Sequence, residues 1–148
     1  MSLEPDDSWT PLREAAEAVL GAAHAPYSQF RVGAALEASD GRTYSGCNIE
    51  NASFPVTLCA ERVALGTAVA DGATRFDRLY LVSDAAEPVA PCGMCRQALA
   101  EFSPELQIVS RGAAGAESAW RLSELLPATF HLDASREAAA PASGGDAA

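Results

Sequence analysis

The sequence predicts an α/β fold, a three-layer α/β/α sandwich around a mixed five-stranded sheet, built as one domain. Three observations carry this. Helical and strand patterns alternate through the second half of the chain, which places helices on the faces of a sheet. Apolar residues make up 49% of the 148, enough for the core of one ordinary domain. Asp40-Gly41, between two strand-like runs, is a hairpin signal that opens the sheet with an antiparallel pair.

Each element has its own signature. Residues 1–9, "MSLEPDDSW", read as a flexible arm. "TPLREAAEAVLGAAHA" reads as a helix, with Thr10 a possible N-cap and Pro11 at the first helical position. Leu12, Ala15, Ala16, Val19 and Leu20 recur at helical spacing. "APYSQF" breaks that helix. "RVGAALEAS", "DGR" and "TYSGCNIE" read as strand, turn and strand. "CAERVALGTAVADG" is a second helix with Gly72 as its stop. "RLYLVSD" is a buried strand, "PCGMCRQALAEF" a third helix, "LQIVSRG" a further strand, and "AWRLSELLP" a short strand followed by a helical turn. The domain spans 10–132, and residues 133–148 form a low-complexity tail predicted to be disordered. No internal repeat and no Gly-rich phosphate loop is present.

Composition narrows the function. A formal net charge of −10 and a pI near 4.5 argue against nucleic-acid partners, whose binders usually carry a basic face. The charge fits an enzyme acting on a small neutral substrate. No run of about 18 apolar residues suggests a membrane span. The N-terminus lacks the basic-then-apolar order of a secretory signal, so the expected location is the cytoplasm.

The cysteines carry the chemistry. There are four, Cys47, Cys59, Cys92 and Cys95, and in this context they read as reduced thiols or thiolate ligands rather than disulfides. Cys92 and Cys95 are three apart at a helix start, so both sulfurs can face one ion. Cys59 opens another helix and offers a third thiolate. Helix N-termini favour the thiolate form. Three sulfurs suit zinc, with Zn–S about 2.3 Å, and leave its fourth position open. Cys47 as a fourth ligand would instead make a closed structural site. Taken alone, C-x-x-C also fits a redox pair or half a zinc knuckle. Glu61, two residues beyond Cys59, can lean over the metal without binding it, although by itself it would pass as a first-turn carboxylate.

With these residues in place, the sequence resembles the small, tetrameric, three-cysteine cytidine deaminases. Their wider signature, H-x-E…P-C-x-x-C with a cysteine variant at the first ligand, stands here as Cys59-Ala60-Glu61 and Pro91-Cys92-Gly93-Met94-Cys95. "APYSQFRVGAAL", "GCNIENASF", "TLCAERVAL", "PCGMCRQALAEF" and "LSELLPATF" follow in the family's order, over roughly residues 10–130. The resemblance implies one zinc ion per chain on Cys59, Cys92 and Cys95, with Glu61 as proton shuttle and the Ala60 N–H against the base O2. It implies that Asn48 and Glu50 grip the ribose, that Phe30 packs on the base, and that Phe130 reaches a neighbouring subunit's site in a homotetramer. Three thiolates on a dication leave a net negative site, and Arg62, donating to the sulfurs, would offset part of that charge. The implied reaction is hydrolysis of cytidine or 2′-deoxycytidine to uridine or 2′-deoxyuridine and ammonia, a pyrimidine salvage step. Arg31 stands where proline is common, Phe54 where tyrosine is frequent, and His131-Leu132 where Gly-Pro is usual. Two alternatives stay open: a related deaminase of another small substrate, such as blasticidin S or a free base, and a structural zinc or binding module.

Overall fold

The sheet runs in the order β2-β1-β3-β4-β5, assembled from β1 (Val32–Ala38), β2 (Thr43–Cys47), β3 (Phe76–Ser83), β4 (Gln107–Arg111) and β5 (Glu117–Arg121). The β3–β4 pair is parallel and the other three are antiparallel, so the sheet is mixed as expected. The helices are α1 (Thr10–Leu20), α2 (Ala60–Ala70), α3 (Gly93–Ala100) and α4 (Leu122–Leu125). This computed structural model describes residues 4–132; the tail read as disordered lies outside the described residues.

Strand alternation sends neighbouring side chains to opposite faces, and that builds the three layers. Ala35, Tyr80, Val82 and Val109 face α1 and pack on Leu12 and Ala16. Ala34, Leu36, Leu79, Leu81 and Ile108 face the other way, onto Ala60, Ala64 and Leu65 of α2 and Leu99 of α3. Small residues bring α2 close to the sheet. A Cβ on Gly46 would lie 2.4 Å from the Ala64 nitrogen and 2.5 Å from the Ala60 oxygen, so only glycine allows this approach. At the hairpin, Gly41 takes φ +88°, and the Ala38 N–H donates to the Arg42 carbonyl at 2.8 Å.

Two expectations change at the N-terminus. The arm is not free up to residue 9: Asp7–Trp9 form a 3-10 turn whose cap is Asp6, accepting from the Ser8 N–H at 2.9 Å. Trp9 is buried, 6.3 Å from the Tyr80 ring and 5.1 Å under the Arg78 guanidinium. A buried indole of this size outweighs the local preference of an acidic, polar segment to stay in solvent. Thr10 is therefore inside α1, and Trp9 occupies the N-cap position. The second strand also stops at Cys47; beyond it Ile49 makes single bridges to His24 and Leu58.

Candidate active site

Two helix starts meet at the C-terminal end of β3. Cys59 and Cys92 are the N-cap residues of α2 and α3, both extended (ψ 153° and 163°). Their carbonyls accept the first intrahelical bonds, from Val63 at 3.1 Å and Arg96 at 3.0 Å. Neither thiol makes a capping hydrogen bond, so the first-turn N–H groups of both helices keep no side-chain cap. Cys95 lies in the first turn of α3 and is fully buried.

The three sulfurs all lie within 4.8 Å of one another. Cys59 to Cys92 is 3.7 Å and Cys92 to Cys95 is 3.5 Å. A tetrahedral ion with sulfur arms of about 2.3 Å needs edges of about 3.8 Å, so the donor set fits zinc in spacing and in chemistry. Cys47 is not part of the group, which leaves three protein donors among the described residues, the count of an open site rather than a closed structural one. Cys95 donates to Cys59, and that bond, with the Arg62 guanidinium, holds the Cys59 thiol well below its ordinary pKa. The same bond and burial push Cys95 up. Arg62 Nη2 donates to the Thr57 carbonyl at 3.0 Å and approaches the Cys59 sulfur at 3.9 Å.

Glu61 is buried beside this group, and burial pushes its carboxyl up to about 7. It opens onto a cavity of about 230 Å³ shared with Phe30, Asn48, Glu50 and Ala60. Cys59 and Cys92 line the same cavity, and Leu81 of β3 contributes to its wall. A wider hollow of about 870 Å³ sits at the opposite ends of β3 and β4, lined by Arg75, Asp77, Glu105 and Arg121 among others. It holds none of the cysteines and no Glu61, so size does not locate the chemistry.

The two expected sugar-binding residues are each partly committed to the fold. Asn48 Oδ1 accepts from the Val32 N–H at 2.9 Å, and its Nδ2 donates to the Phe30 carbonyl at 2.8 Å. One amide hydrogen remains for a ligand. Glu50 accepts from the Tyr27 N–H at 2.8 Å, the Ser28 N–H at 3.2 Å and the Ser28 hydroxyl, and the Ser28 hydrogen bond lowers its pKa. Sequence reasoning missed Ser28, which also accepts from the Phe30 N–H at 3.0 Å and so ties Glu50 to the aromatic wall. Gln29 between them takes φ +55°, an uncommon conformation for a side chain of its length. The signal was present in "APYSQF", where a turn serine is a natural partner for nearby backbone. Phe130 does not line the cavity of its own chain. It is exposed, with its backbone paired to the Gln97 side-chain amide at 3.0 and 3.3 Å.

Comparisons with known proteins agree with this geometry. Residues 10–110 match the family model described as the cytidine and deoxycytidylate deaminase zinc-binding region. A cytidine deaminase of Sporosarcina psychrophila is 46% identical over 109 residues, 73% of this chain and 80% of that one. One from Mycobacterium tuberculosis is 38% identical, covering 87% and 94%. The crystal structure of cytidine deaminase from Burkholderia pseudomallei superposes with a TM-score of 0.78 at 43% identity, over 82% of this chain and 98% of that one. The match spans both cysteine motifs, both helices that carry them and the strand β3 between, and on that ground the chain belongs to the zinc-binding cytidine and deoxycytidylate deaminase family.

Proposed function

We propose that the protein hydrolyses cytidine and 2′-deoxycytidine to the uracil nucleosides and ammonia, with one zinc ion per chain on Cys59, Cys92 and Cys95. The observation that carries this is the placement of a buried glutamate beside three clustered sulfurs on the wall of one nucleoside-sized cavity. Zinc bound there would supply Lewis acidity, bringing the pKa of water to about 7.

The chain's own residues do the rest. Glu61 accepts a proton from the attacking water and places one on N3 of the base. Once the C4–O bond has formed, Glu61 takes the second proton from the new C4 hydroxyl and delivers it to the amine; the C4–N bond breaks, the C4 carbonyl forms and ammonia departs. A carboxyl raised to about 7 by burial suits both taking and returning a proton near neutrality. The Ala60 N–H, a first-turn donor with no intrahelical partner, meets the base O2. Phe30 packs on the ring, and the remaining capacity of Asn48 and Glu50 serves the sugar hydroxyls. Arg62 offsets thiolate charge at Cys59. The net charge of −10 favours a neutral nucleoside over a phosphorylated one.

The product returns uracil nucleosides to pyrimidine salvage, and thiols held free to bind metal fit the reducing cytoplasm. The exposed Phe54, Phe130 and Leu132 support a homotetramer in which Phe130 completes a neighbour's cavity. Glu61→Gln tests the mechanism: turnover of cytidine drops by about 10²–10⁴-fold or more while zinc content stays at one per chain. Full activity in that variant would sink the role of Glu61.

A further inference from the structure

Arg31 and Asp84, 53 residues apart in sequence, pair just outside the cavity: Arg31 lies between the cavity-lining Phe30 and Val32, and Asp84 faces a separate hollow with Glu17, Leu20 and Arg111. The Arg31 N–H and Nε donate to Asp84 Oδ2 at 3.1 and 2.8 Å, and Nη2 donates to Oδ1 at 3.1 Å. The Asp84 N–H donates back to the Arg31 carbonyl at 3.1 Å. The last ladder pair of β1 and β3 is Val32 with Ser83, so this clamp adds one rung beyond the sheet.

Its position matters because of what it joins. On one side is Phe30, immediately before Arg31. On the other is the segment from 85 to 92, whose Val89, Ala90 and Cys92 line the same cavity as Phe30. That segment is held from its far side, by Ala113 on Ala85 at 2.7 Å, Ala114 on Ala86 at 3.1 Å and Val89 on the Ser110 hydroxyl at 3.2 Å. The four Arg31–Asp84 bonds join residue 84, from which that segment departs, to the residue next to Phe30, beyond the strand ladder. The pair is bidentate and charge-assisted, hence orienting. Its side chains are 48% and 29% exposed, hence open to screening by salt.

We propose that the Arg31–Asp84 clamp is a positioning pair that sets the width of the base slot between Phe30 and the Val89–Cys92 wall. It rests on the deaminase reading above and acts on substrate binding, with no part in proton transfer. Arg31→Ala, Arg31→Pro and Asp84→Asn each remove bonds from one partner; the proline variant keeps only the Asp84 N–H contact.

The test is steady-state kinetics with cytidine, zinc analysis and hydrogen exchange on the zinc-loaded protein. Each variant is expected to raise KM about three- to tenfold, the scale of a partly exposed bidentate ion pair, with kcat within about twofold and zinc unchanged. Arg31→Ala combined with Asp84→Asn is expected to be no worse than either alone, since both break one interaction. Raising NaCl from 0.1 to 1 M raises KM for the parent but not for Arg31→Ala, and amides in 85–90 exchange faster in that variant. Unchanged KM overturns the proposal, and so does a fall in kcat or zinc that accounts for the loss. A parent protein that deaminates no cytosine nucleoside would instead end the deaminase reading. The exchange comparison then decides the clamp: faster exchange in 85–90 keeps it and unchanged exchange removes it.

Discussion

Cys95 is the fully buried member of the sulfur group, while Cys59 is half-buried and Cys92 exposed. Its thiol is held protonated by the bond it donates and by burial, whereas Cys59 is drawn toward thiolate. Metal loading must therefore expel the Cys95 proton. The sign follows: protons compete with zinc, so apparent affinity weakens as pH falls from 8 to 5. Calorimetry at pH 7 in buffers of different ionisation enthalpy is expected to read release of about one proton or more per zinc; binding without proton release would contradict this arrangement. The sequence made Cys59, Glu61, Cys92 and Cys95 legible because their spacing is a helix-start signature. It left Asn48 and Glu50 half-read. Their carbonyl and carboxylate oxygens are taken by the backbone of Val32, Tyr27 and Ser28, and contacts between distant loops leave no periodic trace in a chain.

The helix α2 shows how an element converts local sequence into site geometry. It must lie close to β2 for Cys59 to reach Cys92, and Gly46 makes that approach possible. Gly46→Ala drives a methyl into the backbone of α2. We expect a stability loss of about 1–3 kcal/mol or more in urea unfolding, as for other overpacked cores, together with reduced zinc loading. Gly66 is the control: it lies on the exposed face of the same helix with open space around its Cα, so Gly66→Ala should be neutral or stabilising by about 0.5–1 kcal/mol. Equal effects from the two would show that close packing of α2 is not what holds the site. Element positions were legible wherever period and turn chemistry agreed, as at Asp40-Gly41 and Gly72, whose φ of +85° ends α2. They were misjudged where a single distant contact decided, as with Trp9 on Tyr80.

For the molecule as a whole, the two cores on either side of the sheet match the layer order read from the sequence, because alternation along β1 and β3 is unambiguous. Much of the exposed apolar surface lies in loops and in the last described residues: Phe54 is 71% exposed, Phe130 69% and Leu132 73%. The proposed tetramer predicts sedimentation near the mass of four 15.3 kDa chains. Phe130→Asp should split that species and lower cytidine turnover without lowering zinc content; a variant that stays tetrameric and fully active would rule out the contact. The clasp at the N-terminus has a consequence in time. The Ser8 carbonyl and hydroxyl are held by Arg78, 70 residues later, and the inner face of α1 rests on strands not yet made when it leaves the ribosome. At about 5–20 residues per second, Tyr80 follows Trp9 by roughly 4 to 14 s. Through that interval Trp9, Leu12 and Ala16, buried in the fold, have no sheet to pack on and are open to a chaperone. Ribosome-arrested chains ending well before and well after residue 80 should differ in protease protection of residues 7–20. Equal protection in the two would mean that α1 finds shelter before its sheet exists.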